Sequence, residues 1–104
     1  MLLEPPDVIA AKKQVEEEVR KLVTEFQPHV LDISFEFERD WTGDPGVFFT
    51  VVLADRSAKR PTLGRVSGKV REALSDMVWR INLKRICYTK FRSKSEVLEL
   101  QRRR

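Results

Sequence analysis

The chain has 104 residues, 41% of them hydrophobic and 35% charged, with 20 Lys/Arg against 16 Asp/Glu and a net charge of +4. That is one domain's worth of chain, long enough to bury roughly 65% of its unfolded surface in a single core. No run of about 18 apolar residues is available to span a bilayer, and a single cysteine, Cys87, excludes an internal disulfide and a cysteine-based metal cage.

The first seven residues read as an N-terminal extension without the basic flank and long apolar run of a secretion signal. With no disulfide to form, a cytoplasmic location is expected. The charge is unevenly spread. Residues 1–50 hold 5 Lys/Arg and 11 Asp/Glu, whereas residues 51–104 hold 15 Lys/Arg and 5 Asp/Glu. Such asymmetry points to a polyanionic partner, or to charge pairing between surfaces of the fold or of two chains.

In chain order, the first predicted helix runs from Val8 to Phe26, behind the block of Pro5-Pro6 and with Asp7 as its cap. Val8, Ala11, Val15, Val19, Leu22 and Phe26 recur at spacings of three and four and form one apolar stripe. On the other face, Lys12–Glu16, Lys13–Glu17, Glu16–Arg20 and Glu17–Lys21 are spaced for i,i+4 ion pairs. Pro28 ends the helix by pushing its predecessor out of helical geometry. His29, the only histidine, sits at the junction and reads as a surface or capping residue.

Residues 30–54 read as two strands joined by a seven-residue loop. In the first, Leu31, Ile33, Phe35 and Phe37 alternate with Asp32, Ser34, Glu36 and Glu38, giving one dry face and one wet, acidic face. The second presents Val47, Phe49, Val51 and Leu53 on one side and Phe48, Thr50, Val52 and Ala54 on the other. A strand apolar on both faces is central or covered twice. In the loop Asp40–Gly46, the run Asp44-Pro45-Gly46-Val47 fits a type II turn, and Asp40 can fold its carboxylate back onto backbone N–H groups. Trp41 is either a lid over one end of the core or an exposed binding aromatic, the lid being preferred. Asp40 and Asp44 do not have the spacing of a calcium loop.

Asp55–Pro61 is a flexible, basic connector. A second helix is predicted over Leu63–Trp79 with Thr62 as cap and a core stripe of Leu63, Val66, Val70, Ala73, Leu74, Met77 and Ile81. Gly64 and Gly68, four apart, would let another backbone approach. They do not form a phosphate loop, which needs a Gly-Lys-Ser/Thr ending after a strand. A third strand is predicted over Leu83–Phe91, with Ile86 and Tyr88 on one side and Cys87, Thr89 and Phe91 on the other. Ser93 and Glu96 have capping-box spacing, so residues 93–104 read as a short helix with a basic tail.

The resulting architecture is a single α+β domain of order α-β-β-α-β with that short C-terminal helix. The hairpin pairs strands 1 and 2 antiparallel, and a right-handed helical crossover makes strands 2 and 3 parallel. The sheet is therefore three-stranded and mixed, of order 1-2-3, with two helices on one face. The other face would show Glu36 and Glu38, then Phe48 and Val52, then the basic residues of strand 3. The layout resembles the second type of the nucleic-acid-binding K-homology fold. That family grips backbone with a Gly-x-x-Gly loop between helices, whereas here Gly64 and Gly68 are spaced differently and lie within one helix. The order also resembles the cytoplasmic domain of cation-efflux transporters, without the His/Asp ligands that family would supply. Asp40-Trp41-Thr42-Gly43-Asp44-Pro45 followed by Phe91-Arg92-Ser93-Lys94-Ser95-Glu96 resembles a small group of uncharacterised bacterial proteins across roughly residues 30–98, a resemblance that implies no activity.

Three functions are weighed on these residues. The first is a non-enzymatic binding module acting through protein contacts, as a homodimer or as the small partner of another protein, anchored by Trp41, Phe48 and Val52. The second is RNA or DNA binding by Arg56, Lys59, Arg60, Arg65, Lys69, Lys84, Arg85, Lys90, Arg92 and the final arginines, with Tyr88 or Phe91 as a stacking ring. The third is an enzyme using Glu36, Glu38, Asp40 or Asp44 as acid or base. The third ranks last: alternating strand carboxylates are ordinarily a wet face, and no nucleophile–base pair, metal cluster or cofactor motif stands in the sequence.

Overall fold

The computed structural model describes residues 6–103. Helix α1 (Pro6–Glu25), strand β1 (Val30–Arg39), strand β2 (Pro45–Leu53), a 3-10 turn (Asp55–Ala58), helix α2 (Thr62–Arg80), strand β3 (Ile86–Ser93) and helix α3 (Lys94–Arg102) follow in that order. The sheet has the order β1-β2-β3, with β1 antiparallel and β3 parallel to β2. The α+β class, strand order and mixed pairing are those the sequence pattern predicts.

The core lies between one face of the sheet and the stripes of α1 and α2. Val15, Val19 and Leu22 descend from α1, Val66, Val70, Leu74, Met77 and Val78 from α2, and Val47, Phe49, Val51 and Leu53 rise from β2. The spacings that define those stripes in the sequence are what aim them inward. On β1 the inward set is Val30, Ile33, Phe35 and Phe37. Leu31, expected on that face, is 44% exposed instead. A register shift between Val30 and Asp32 inserts an extra residue into the ladder, and a bulge of this kind re-aims the side chains beside it.

Several boundaries move for local reasons. Helix α1 starts at Pro6, within the predicted proline block, because a proline fits the first turn, where its missing N–H would be unpaired anyway. The Asp7 cap falls on a side chain outside the described ones. The pairs Lys13–Glu17, Glu16–Arg20 and Glu17–Lys21 do not close. Glu18 instead bonds Arg80 at 3.0 Å, joining α1 to α2, and its carboxyl is held below the usual range first by that hydrogen bond and then by the charge of Arg80.

Helix α2 is entered through Pro61 with no side-chain cap bond, so Thr62 lies inside it. Gly64 and Gly68 have no neighbour within 4 Å of a built Cβ, so no backbone approaches there. The connector expected to be flexible is a 3-10 turn whose Ser57 is 1% exposed and lies 2.7 Å from Nδ1 of His29. Strand β3 starts at Ile86 rather than Leu83, since Asn82 and Lys84 take left-handed backbone at φ 55° and 57°. The Ser93–Glu96 capping box is formed in both directions, and α3 is further held by Ser95, which donates its N–H and hydroxyl to Asp55 at 2.9 and 2.6 Å.

Candidate protein-binding face

Each β2 residue that turns inward leaves its neighbour facing out, away from both helices. The registers line these outward residues into rungs. Glu38, Gly46 and Ile86 share one level; Glu36, Phe48 and Tyr88 the next; then Ser34, Thr50 and Lys90; then Asp32, Val52 and Arg92. The open face is thus acidic along β1, apolar along β2 and basic along the middle and end of β3. A shallow depression of about 380 Å³ runs across it, bordered by Ser34, Glu36, Glu38, Phe48, Thr50, Tyr88 and Lys90. Helix α3 buries none of its own side chains and leaves Leu98 and Leu100 exposed.

The aromatic end of this face is fixed by the hairpin loop. Asp40 is 8% exposed and its carboxylate accepts four hydrogen bonds. Oδ1 accepts from the Thr42 N–H (2.9 Å), the Thr42 hydroxyl (2.6 Å) and the Asp44 N–H (2.9 Å), while Oδ2 accepts from the Tyr88 hydroxyl (2.8 Å). Gly43, at φ 88°, makes the reversal this winding requires. The loop is therefore shorter than expected, Asp40–Asp44, and the type II turn is replaced. Pro45 and Gly46 already belong to β2, opposite Arg39 and Glu38. Proline is tolerated there because it opens the strand, where no ladder donor is needed.

Tyr88, anchored through its hydroxyl, lies flat on Phe48 with ring centroids 4.8 Å apart and planes 14° apart, and meets Trp41 at 5.3 Å. Trp41 is 80% exposed, which corrects the preferred reading of it as a lid over the core. Its packing partner is Tyr88, on the open face. Phe48 and Val52 stand on the same face, half-buried. All three expected anchors are thus near or on one surface, and Tyr88, assigned in the sequence to nucleic-acid stacking, joins them.

No protein-family model, curated protein or solved structure matches the chain.

The basic residues occupy several regions. Arg56, Lys59 and Arg60 are exposed around the 3-10 turn, and Arg65 and Lys69 border a hollow beside His29. Lys84 lies in the connector before β3. Arg85 donates to the Gly46 carbonyl at 2.9 Å and stacks on the Phe37 ring at 4.3 Å. Lys90 and Arg92 stand on the open face, and Phe91 points to the core side, with Arg71 over its ring. Trp79, 87% exposed beside Ile86, is a surface aromatic the sequence pattern does not single out, since it ends the predicted helix and lies off its apolar stripe. A concavity of about 930 Å³ lies between α1 and β1. It is bordered by Phe35, Phe37 and Val23 but also by the charged chains of Lys12, Glu16 and Arg20.

The hydrogen bond from Thr42, followed by those from Tyr88 and the two backbone N–H groups, outweighs burial and lowers the Asp40 pKa from 3.8 to about 2. Folding lowers this pKa, so the ionised carboxylate favours the folded state above pH 3.8, and that contribution is lost as pH falls towards 2. Asp40→Asn is expected to flatten the acid limb of stability against pH in that window, by up to about one proton taken up on unfolding. Urea melts at a series of pH values check this; an unaltered acid limb would detach Asp40 from the fold's acid response.

Proposed function

We propose that this chain is a non-enzymatic, cytoplasmic binding module that acts through protein–protein contacts at the open face of its sheet. The observation that carries the reading is the pinned aromatic group: Tyr88 tied to Asp40, flat against Phe48, and flanked by the exposed ring of Trp41. Aromatic side chains dominate interface energies when they enter a partner's pocket, and rings held in place beforehand lose little freedom on binding.

The chemistry of the surrounding groups agrees. Both carboxylate oxygens of Asp40 accept hydrogen bonds and the group is held ionised, which leaves it no proton to give. The His29–Ser57 pair has nucleophile–base spacing, but a hydroxyl 1% exposed has no path to a substrate. That bond ties the start of β1 to the 3-10 turn. Nucleic-acid binding by the basic half is the competing reading, and it requires basic residues of the 3-10 turn and its flank, of α2 and of β3 to act together.

A photo-reactive phenylalanine analogue placed at Thr50, mid-face, is expected to give a protein adduct in cells, whereas the same group at Glu72 on exposed α2 gives none. Phe48→Glu, added to the Thr50 probe, should abolish the adduct by placing a charge at the centre of the apolar strip. Absence of any adduct at residue 50, or an adduct indifferent to Phe48→Glu, would refute the reading.

A further inference from the structure

The order of chemistry across the face is acid, apolar, base. We infer that the partner is a second copy of this chain, docked face to face about a two-fold axis that runs parallel to the strands. The inference rests on the reading of the open face as a binding surface, and it follows from charge and symmetry.

A two-fold relation between facing sheets has two simple choices of axis. An axis across the strands sets β1 against β1 of the partner, and Asp32, Glu36 and Glu38 then meet the same three carboxylates. An axis along the strands exchanges the two borders of the sheet without reversing strand direction. Each β1 then lies over the partner's β3, and β2 lies over β2. Acid meets base at both borders, and the apolar strips meet in the middle. An isologous contact of this kind repeats every favourable pair twice. Joining the free edges side by side as β1 to β1 is opposed for the same reason as the first axis, because like charges directly opposite repel.

The rungs name the contacts. Phe48 and Val52 fall near the axis beside their own copies, with Thr50 between them. Glu36 lies one rung from Lys90 of the other protomer, within reach of a long side chain, and Asp32 shares a level with Arg92. Among the described residues neither Glu36 nor Lys90 makes an ion pair inside its own chain, while Arg92 already meets Glu96 at 3.6 Å. Glu36–Lys90 is therefore the diagnostic pair. Facing sheets stand about 10 Å apart and within about 30° of alignment, which keeps the borders opposed. Three strands of this length bury roughly 1,200 Å² in all, at the low end for a specific interface, so association should depend visibly on concentration.

The test is light scattering on purified protein from micromolar to submillimolar concentration. The wild type is expected to rise from the 12.2 kDa of one chain towards twice that mass. Glu36→Lys and Lys90→Glu should each weaken association by roughly tenfold or more, since each sets like charges together at two symmetric places. Combining them should restore it to within about threefold of wild type, because the pair is rebuilt with its signs exchanged. Both positions are exposed, and circular dichroism confirms that each variant is folded. A wild type that stays at the single-chain mass at every concentration, or a double variant as weak as either single one, overturns the dimer. A single-chain mass together with an adduct to a different protein at residue 50 overturns the dimer alone; a single-chain mass with no adduct overturns the binding face as well.

Discussion

Replacing Phe49 by alanine is expected to cost about 3–5 kcal/mol of folding stability, the usual penalty for emptying a buried phenylalanine site. Phe49 is 1% exposed in the middle of the central strand, level with Phe35 on β1 and Thr89 on β3, and its ring lies 6.2 Å from that of Phe35. Both helices converge on the layer it occupies, so neither can settle into the gap without leaving the other behind. A domain of this size has about 5–15 kcal/mol in total, and the loss is therefore a large share. Urea denaturation followed by circular dichroism measures it. Thr50→Ala, one residue along but on the open face, is the control and should stay within about 0.5 kcal/mol of wild type. Equal losses at the two positions would mean that the open face is covered in solution by something that contributes as much as the helices do.

Gly46→Ala is the second large effect, and it joins fold to face. A Cβ at Gly46 would stand 3.0 Å from Cε2 of Phe48, 3.3 Å from the Glu38 carbonyl oxygen and 3.3 Å from Cε2 of Tyr88. The two rings lean over the glycine, and the carbonyl is fixed backbone. Ring movement alone cannot relieve all three contacts. The expected cost is about 1–3 kcal/mol, as for other small-to-large changes in a packed site. The added methyl also lifts Phe48 and Tyr88 apart and strains the Tyr88–Asp40 hydrogen bond. Trp41 fluorescence reports on this, because Trp41 leans on Tyr88. A stable variant with unchanged emission would show that the rings stand clear of Gly46 in solution.

The parts of this structure that depend on period were legible beforehand. Alternation in β1 and β2, the three-and-four spacing of both long helices, and the Ser93–Glu96 cap are local patterns, and each led to the element it describes. What the local pattern misses depends on contacts between distant residues. Pro45-Gly46 has strong turn chemistry, but Asp40 closes the loop earlier by collecting donors from Thr42, Asp44 and Tyr88, and only the first two are near it in sequence. The place of Trp41 is decided by Tyr88, far along the chain. Leu31 reads as inward because a bulge leaves no mark on the alternation that it interrupts. Gly64 and Gly68 read as a contact surface although helix α2 turns them to solvent. For the open face the order of acid, apolar strip and base follows from the sequence, but the rung that joins Glu36, Phe48 and Tyr88 does not, because it exists only once β3 has been laid beside β2.

Strand β2 also has a meaning for how such a protein changes over generations. Val47, Phe49, Val51 and Leu53 answer to the interior, and Phe48, Thr50 and Val52 answer to whatever meets the surface. Two selective pressures are therefore written into alternate codons of one short segment. On the proposed reading of the open face, mutations that re-tune recognition can accumulate at every second position while the interior stays as it is. Gly46 is the outward position with the least freedom, since a side chain there would press at once on Phe48, Tyr88 and the Glu38 carbonyl.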